Sequence, residues 1–258
     1  MEITENVTTA QSRPREVAPD SWQAWAKVAV LFGLAVYFGY NIISGNLTNY
    51  VNIRFAWLSY IAVAIFVALG AASLYGVLRG DTEQQGVGFG HRLNISWGAI
   101  GIAALPLLLG TLVPSQPLGA AAVNGSISLS TSSYNSAAAF ARDPLERNVL
   151  EWLRVFGQDV PSAFDGQEAE VIGFVYREPG FEENKFMVAR FTMSCCVADA
   201  SAIGFPVYYE GEANLADSQW IQVRGTFLAG DFKDTITPIL QAETVTLINQ
   251  PEHPYLYP

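Results

Sequence analysis

The side chains best suited to chemistry gather in one run, Arg190-Phe-Thr-Met-Ser-Cys-Cys-Val-Ala-Asp199, where two soft thiols follow Met193 and a carboxylate stands three residues further on. Cys195, Cys196 and Asp199 are the candidate metal ligands, and sulfur selects a soft or borderline ion such as zinc or copper(I). Adjacent residues on a regular strand point to opposite faces, so both sulfurs reach one ion only where the chain bends or bulges. A closed zinc site also takes about four ligands. The only histidines, His91 and His253, stand far off in the sequence. The plain alternative is packing, with one cysteine in the core and the other near the surface. Neighbouring Cα atoms lie about 3.8 Å apart while disulfides prefer roughly 4.4 to 6.8 Å, so a bond between these two would be strained and is no natural staple. No GxSxG, HExxH, Walker or dinucleotide fingerprint occurs. The expectation is therefore not an enzyme, and a thiol redox activity is the one form catalysis would take.

The elements that must carry this run fall into two halves. Residues 1 to 113 hold six basic and six acidic residues, and residues 114 to 258 hold eight basic and eighteen acidic, so the net charge of −10 belongs to the second half. Such a surface repels phosphate backbones, which excludes a nucleic-acid partner for that half. Three stretches lack any charge: Val28 to Ile53, Phe55 to Leu78 and Leu93 to Val113. Crossing a hydrocarbon core of about 30 Å takes around 20 residues, so three transmembrane helices are expected near 22–44, 55–78 and 97–113, behind a cytoplasmic tail 1–21. The third is the shortest and contains Pro106. Trp22, Trp25, Trp57 and Trp97 fall near the expected helix ends, at head-group level. Arg13, Arg15 and Lys27 precede the first span, Arg79 and Arg92 lie between the second and third, and Arg54 alone lies between the first and second. The positive-inside rule then leaves the C-terminal domain outside the cytoplasm, on a multi-pass protein of the cell's inner (plasma) membrane. Ala64, Ala68, Ala72 and Gly76 form a small-residue stripe on the second helix, open either to a partner helix or to the chain's own helices.

Residues 114–141 are rich in Ser, Ala and Gly and read as a flexible linker. Asp143-Pro144 opens a short amphipathic helix that ends at Gly157. Segments 169–176, 186–193, 203–209, 220–227 and 244–248 then read as strands of a mostly-β domain spanning 142–258. An OB-like five-stranded barrel is the best fit, with Gly173 and Gly225 relieving crowding on coiled strands.

Several of these residues also resemble a known family. Leu105-Pro-Leu-Leu-Leu-Gly110, Val113-Pro114, Gly173-Phe-Val-Tyr176, Ala189-Arg-Phe191, Cys195-Cys-Val-Ala-Asp-Ala200, Trp220-Ile-Gln-Val-Arg-Gly225 and Pro254-Tyr-Leu-Tyr-Pro258 together resemble the YcgQ-like family of bacterial permease subunits. The CCxADA and PYLYP elements are the most specific parts, and the likeness covers nearly everything after residue 20. It implies a membrane protein that works beside a larger multi-span permease, with a link to metal handling. It strengthens the reading of Cys195, Cys196 and Asp199 as a site, and it settles neither the cofactor nor the solute. Two functions follow: an accessory permease subunit that presents an extracytoplasmic domain, or a stand-alone membrane-anchored module that senses a metal or a thiol-reactive species.

Overall fold

The computed structural model describes residues 21–79, 97–123, 127–129, 139, 141–182, 184–211 and 215–258. The N-terminal tail with Arg13 and Arg15, and the segment that carries His91 and Arg92, lie outside them. The chain forms two compact units. One joins Met1–Phe38 with Ala62–Leu112, and the other joins Gly39–Ile61 with Val113–Pro258.

The first unit is helical. Helices α1 (Ser21–Ile43), α2 (Trp57–Arg79) and α3 (Trp97–Leu112) form where the uncharged stretches were expected to turn helical. At 1.5 Å per residue, the 23 residues of α1 and of α2 each span about 35 Å, and both helices are apolar enough to cross a membrane. Helix α3, with 16 residues and Pro106 inside it, is shorter than that measure. Trp22, Trp57 and Trp97 are exposed at the helix starts. Phe38 and Phe66 meet between α1 and α2 at 5.8 Å, and Gly70 lies buried under the Phe32 ring. Ala64, Ala68 and Ala72 stand on a different face of α2, which the chain leaves exposed.

The second unit is mostly β. Strands β1 (Glu168–Tyr176), β2 (Lys185–Thr192), β3 (Ser201–Tyr208), β4 (Trp220–Phe232) and β5 (Thr235–Leu247) close into a five-stranded ring in the order β1-β4-β5-β3-β2, because β1 also pairs with β2. All pairs in the ring are antiparallel except β3 with β5. A short β6 (Tyr255–Leu256) pairs parallel with Phe191 and Thr192 of β2, just beyond the part of β2 that pairs with β1. A Cβ on Gly225 would collide with the Gln241 carbonyl at the β4–β5 register shift, and one on Gly173 would come within 2.6 Å of the Ala189 carbonyl. Only glycine lets those strands approach so closely.

Two expectations need correction. Strands β4 and β5 are each 13 residues long, so they extend well past 220–227 and 244–248 into one long hairpin. Its turn is Lys233-Asp234, both left-handed at φ 54° and 60°, the geometry of a type I′ turn without its usual glycine. Asp143 does not cap the amphipathic helix either. It accepts from Leu145 N and caps a separate 3-10 turn, Pro144–Glu146. Helix α4 (Val149–Phe156) starts from a capping box in which Asn148 and Glu151 each accept from the other's main chain.

Strands β1 and β2 are buried on both faces. Val171, Val175, Phe186 and Val188 join an inner cluster that α4 seals with Trp152 and Leu153. Phe174, Tyr176, Met187, Ala189 and Phe191 join an outer cluster with Ile127, Phe232 and Tyr255. Leu118, Ala120, Val123 and Leu129 lie over the outer cluster, so the described part of the Ser/Ala/Gly-rich segment packs on the barrel.

Candidate functional site

The chain leaves β2 at Thr192, turns through Ser194, and enters a 3-10 turn at Val197–Asp199. That departure from regular strand geometry brings the two sulfurs side by side, Cys195 Sγ lying 3.6 Å from Cys196 Sγ. Cys195 is exposed and Cys196 half-buried. Asp199 closes the turn: its carboxylate accepts from Cys195 N at 2.7 Å and from Ser194 N at 3.2 Å. The hydrogen bond from the Cys195 main-chain N–H holds the Asp199 carboxyl below its ordinary value. The same carboxylate, and next the Cys196 thiol, pushes the Cys195 thiol up to about 11. Cys195 is therefore neutral near pH 7, and a cation bound to its sulfur must displace a proton.

The three candidate ligands thus sit on one turn, with Asp199 already serving the main chain. His253 is elsewhere, its carbonyl held by Arg190. Among the described residues no group of three or more His, Cys, Asp or Glu is arranged to hold a metal ion.

The turn is braced from two sides by residues that sequence reasoning did not pick out as site residues. Asn52, 1% exposed, lies in the segment that joins α1 to α2. Its side-chain Nδ2 donates to Ser194 O at 2.8 Å and to Met193 O at 3.2 Å. Its main-chain N–H donates to Cys195 O at 3.0 Å, and Val197 N donates back to Tyr50 O at 2.9 Å, which makes a small antiparallel bridge between Val51 and Cys196. From the other side, Met193 N donates to Leu256 O in β6. Tyr255 OH donates to Asn49 O and accepts from Leu118 N. The C-terminal segment is fixed in turn by Arg190, whose guanidinium donates to the carbonyls of His253, Pro254 and Ile172 and stacks over Trp220. Burial pushes Arg190 down to about 10, which leaves it charged at neutral pH. An asparagine between two apolar helices gives no signal of such a role in a single sequence. The PYLYP tail did stand out, though its role did not.

A cavity of about 300 Å³ begins one residue beyond Asp199, at Ala200, and runs past Phe191 and Ser201 to Ala122 and Ser128. Its lining carries no ionisable side chain.

Two family models match the chain, the DUF1980 N-terminal domain over residues 26–127 and the DUF1980 C-terminal domain over 145–258. A Bacillus subtilis (strain 168) relative, "UPF0703 protein YcgQ", is 23% identical over 286 residues, covering 90% of this chain and 98% of the relative. A Streptococcus mutans relative named "Putative two-component membrane permease complex subunit" is 24% identical over 272 residues, covering 87% and 97%.

Proposed function

The chain belongs to the DUF1980 family, and from that premise we propose that it is the accessory subunit of a two-component membrane permease, anchored by three spans and presenting an OB-like domain outside the cytoplasm. The observation that carries the reading is the segment between α1 and α2. Residues 49–54 are hydrogen-bonded into the same unit as the β domain. Between that segment and the domain the chain must cross the membrane an even number of times. Helix α2 is long enough for one crossing, so α3 supplies the return, with local thinning of the bilayer accommodating its shorter length. Lys27 and Arg79 then fall on the side opposite Arg54, in keeping with a cytoplasmic N-terminus. The ring order supports the OB-like reading, since five strands closed by a parallel β3–β5 pair make a small Greek-key barrel.

The relative's printed name makes that protein one subunit of a two-component membrane permease complex, and the partner we infer for this chain is a multi-span permease in the same membrane. The exposed Ala64, Ala68, Ala72 face of α2 is the surface we assign to it, since small side chains let a neighbouring helix approach closely. Extraction in mild detergent should recover the chain with the permease. The double change Ala68→Leu, Ala72→Leu should cut that recovery, and unchanged recovery would remove the face from the interface. In a Cys195→Ser, Cys196→Ser background, a cysteine placed at Val123 should react with an impermeant reagent from outside intact cells, and labelling only after lysis would reverse the topology.

A second reading keeps the stand-alone sensor, with Cys195, Cys196 and Asp199 as an exchangeable site for a soft cation. The sulfur spacing of 3.6 Å favours it, because two thiolates bound to tetrahedral zinc at about 2.3 Å stand roughly 3.8 Å apart. Calorimetric zinc titration of the full chain should show binding that the Cys195→Ser, Cys196→Ser double variant lacks. Equal binding by both would remove the metal.

A further inference from the structure

The peptide that joins the two cysteines is also a hydrogen-bonding partner of the segment between the apolar helices. Its carbonyl, Cys195 O, accepts from Asn52 N, and the next bond of the same bridge, Val197 N to Tyr50 O, lies immediately beyond Cys196. The two thiols are already in van der Waals contact, on a turn whose outer cysteine is exposed. They are the only cysteines in the chain, so neither has another intramolecular partner. Bonding them would bring the sulfurs from 3.6 Å to about 2.05 Å across neighbouring Cα atoms that are too close for a relaxed disulfide. The deformation must fall on the 195–196 peptide and its flanking dihedrals. Turning that peptide swings Cys195 O away from Asn52 N.

We propose that Cys195 and Cys196 form a reversible vicinal disulfide by exchange with a disulfide-bearing molecule, and that closing it opens the Val51–Cys196 bridge between the α1–α2 segment and the β domain. In the first step one cysteine sulfur attacks the reagent R–S–S–R, forms a mixed disulfide, and expels one R–S⁻. The neighbouring sulfur then attacks the mixed disulfide and expels the second R–S⁻, and the two thiol protons end on the two departing thiolates. Two electrons pass from the cysteine pair to the reagent. Strain and exposure make such a bond easily reduced, which suits a switch rather than a staple. The loosened element is specific: Tyr50, Val51 and Asn52 lie between the end of α1 and the start of α2, so the thiol state is felt between those helices. The inference goes beyond the permease reading and does not depend on a metal.

The test uses the full chain in detergent with an equimolar aromatic disulfide such as dithiodipyridine. Two thiopyridone equivalents should be released per chain, and the chain should gain no intermolecular disulfide and show a mass lower by two hydrogens. Hydrogen exchange at the Asn52 and Val197 amides should speed up roughly tenfold, the loss of about one hydrogen bond, and dithiothreitol should restore it. Cys196→Ser should keep a single stable adduct with unchanged exchange at Asn52. Stable adducts on both sulfurs, a disulfide-linked dimer, or an oxidised chain with unaltered protection at Asn52 and Val197 would each overturn the proposal.

Discussion

The inner and outer faces of β1 and β2 are equally dry but closed by different kinds of segment. Inside the ring, Trp152 packs against Phe227 at 4.7 Å and Phe156 at 5.6 Å, on a helix that precedes β1 by about a dozen residues. The outer face is covered by Leu118, Ala120, Val123 and Leu129 and by Tyr255, whose hydroxyl bonds Leu118 and Asn49, the latter from the first quarter of the chain. The inner cluster is drawn mainly from residues 149 to 240, the helix α4 and the five strands of the ring. The outer one assembles pieces that are remote from each other, and its Met193 stands just before the double cysteine. Rigidity and responsiveness are thereby allotted to opposite faces of the same two strands.

Trp152→Ala should break the inner side most severely. A fully buried indole is lost, the expected cost is about 3 to 5 kcal/mol, and the whole domain should melt as one transition at lower temperature. A loss confined to the outer segments would contradict the division. Beginning the chain at Arg142 tests the opposite side, since it keeps α4 and every strand but lacks Ile127, which is 5% exposed. The ring should still fold, with at least about 1.5 to 3 kcal/mol less stability from that side chain alone, checked by urea denaturation. Asn52→Ala is a smaller change. Ser194 O and Met193 O lose their donor, about 1 to 3 kcal/mol of local protection should vanish from residues 193–197, and near-ultraviolet circular dichroism of the tryptophans should stay the same. Combined with Trp152→Ala its effect should be additive, because the two residues act on separate clusters. The smallest effect comes from acid. The folded value of Asp199 lies below its ordinary 3.8, so its support of the Cys195 turn is complete above that pH and disappears as pH falls through the lowered value. Faster exchange at Ser194 and Cys195 amides below pH 4, with no global unfolding, is the expected result.

Much of this was legible in the residues. Charge-free stretches located three helices to within two residues, because length and apolarity are local properties. The ring was legible from short β-branched runs, whereas the hairpin beyond Phe227 was hidden by Gly230, Asp231 and Pro238, which read as breakers, and by a turn without glycine. Helix α4 was expected, but its true cap, Asn148 with Glu151 three residues on, was overlooked beside the more conspicuous Asp143-Pro144. The composition of 114–141 concealed apolar residues too widely spaced to show a period. The double cysteine was visible as a feature. Its brace was not, since the bond from Asn52 to Met193 spans 141 positions and no local pattern announces a contact at that range.

That span has a consequence for the order in which the molecule can be made. Asn52 leaves the ribosome 141 residues before its partner Met193, and Asn49 leaves 206 residues before Tyr255. At roughly 5 to 20 residues per second, synthesis of the first interval alone takes about 7 to 28 s. During that time α1 and α2 are complete while the polar groups between them wait for the strands that will receive them. The contact through Tyr255 forms only once that residue has itself emerged. A nascent chain stalled before Ser194 should therefore have α1 and α2 formed with the intervening segment still open to proteases, and synthesis through Tyr255 should close it.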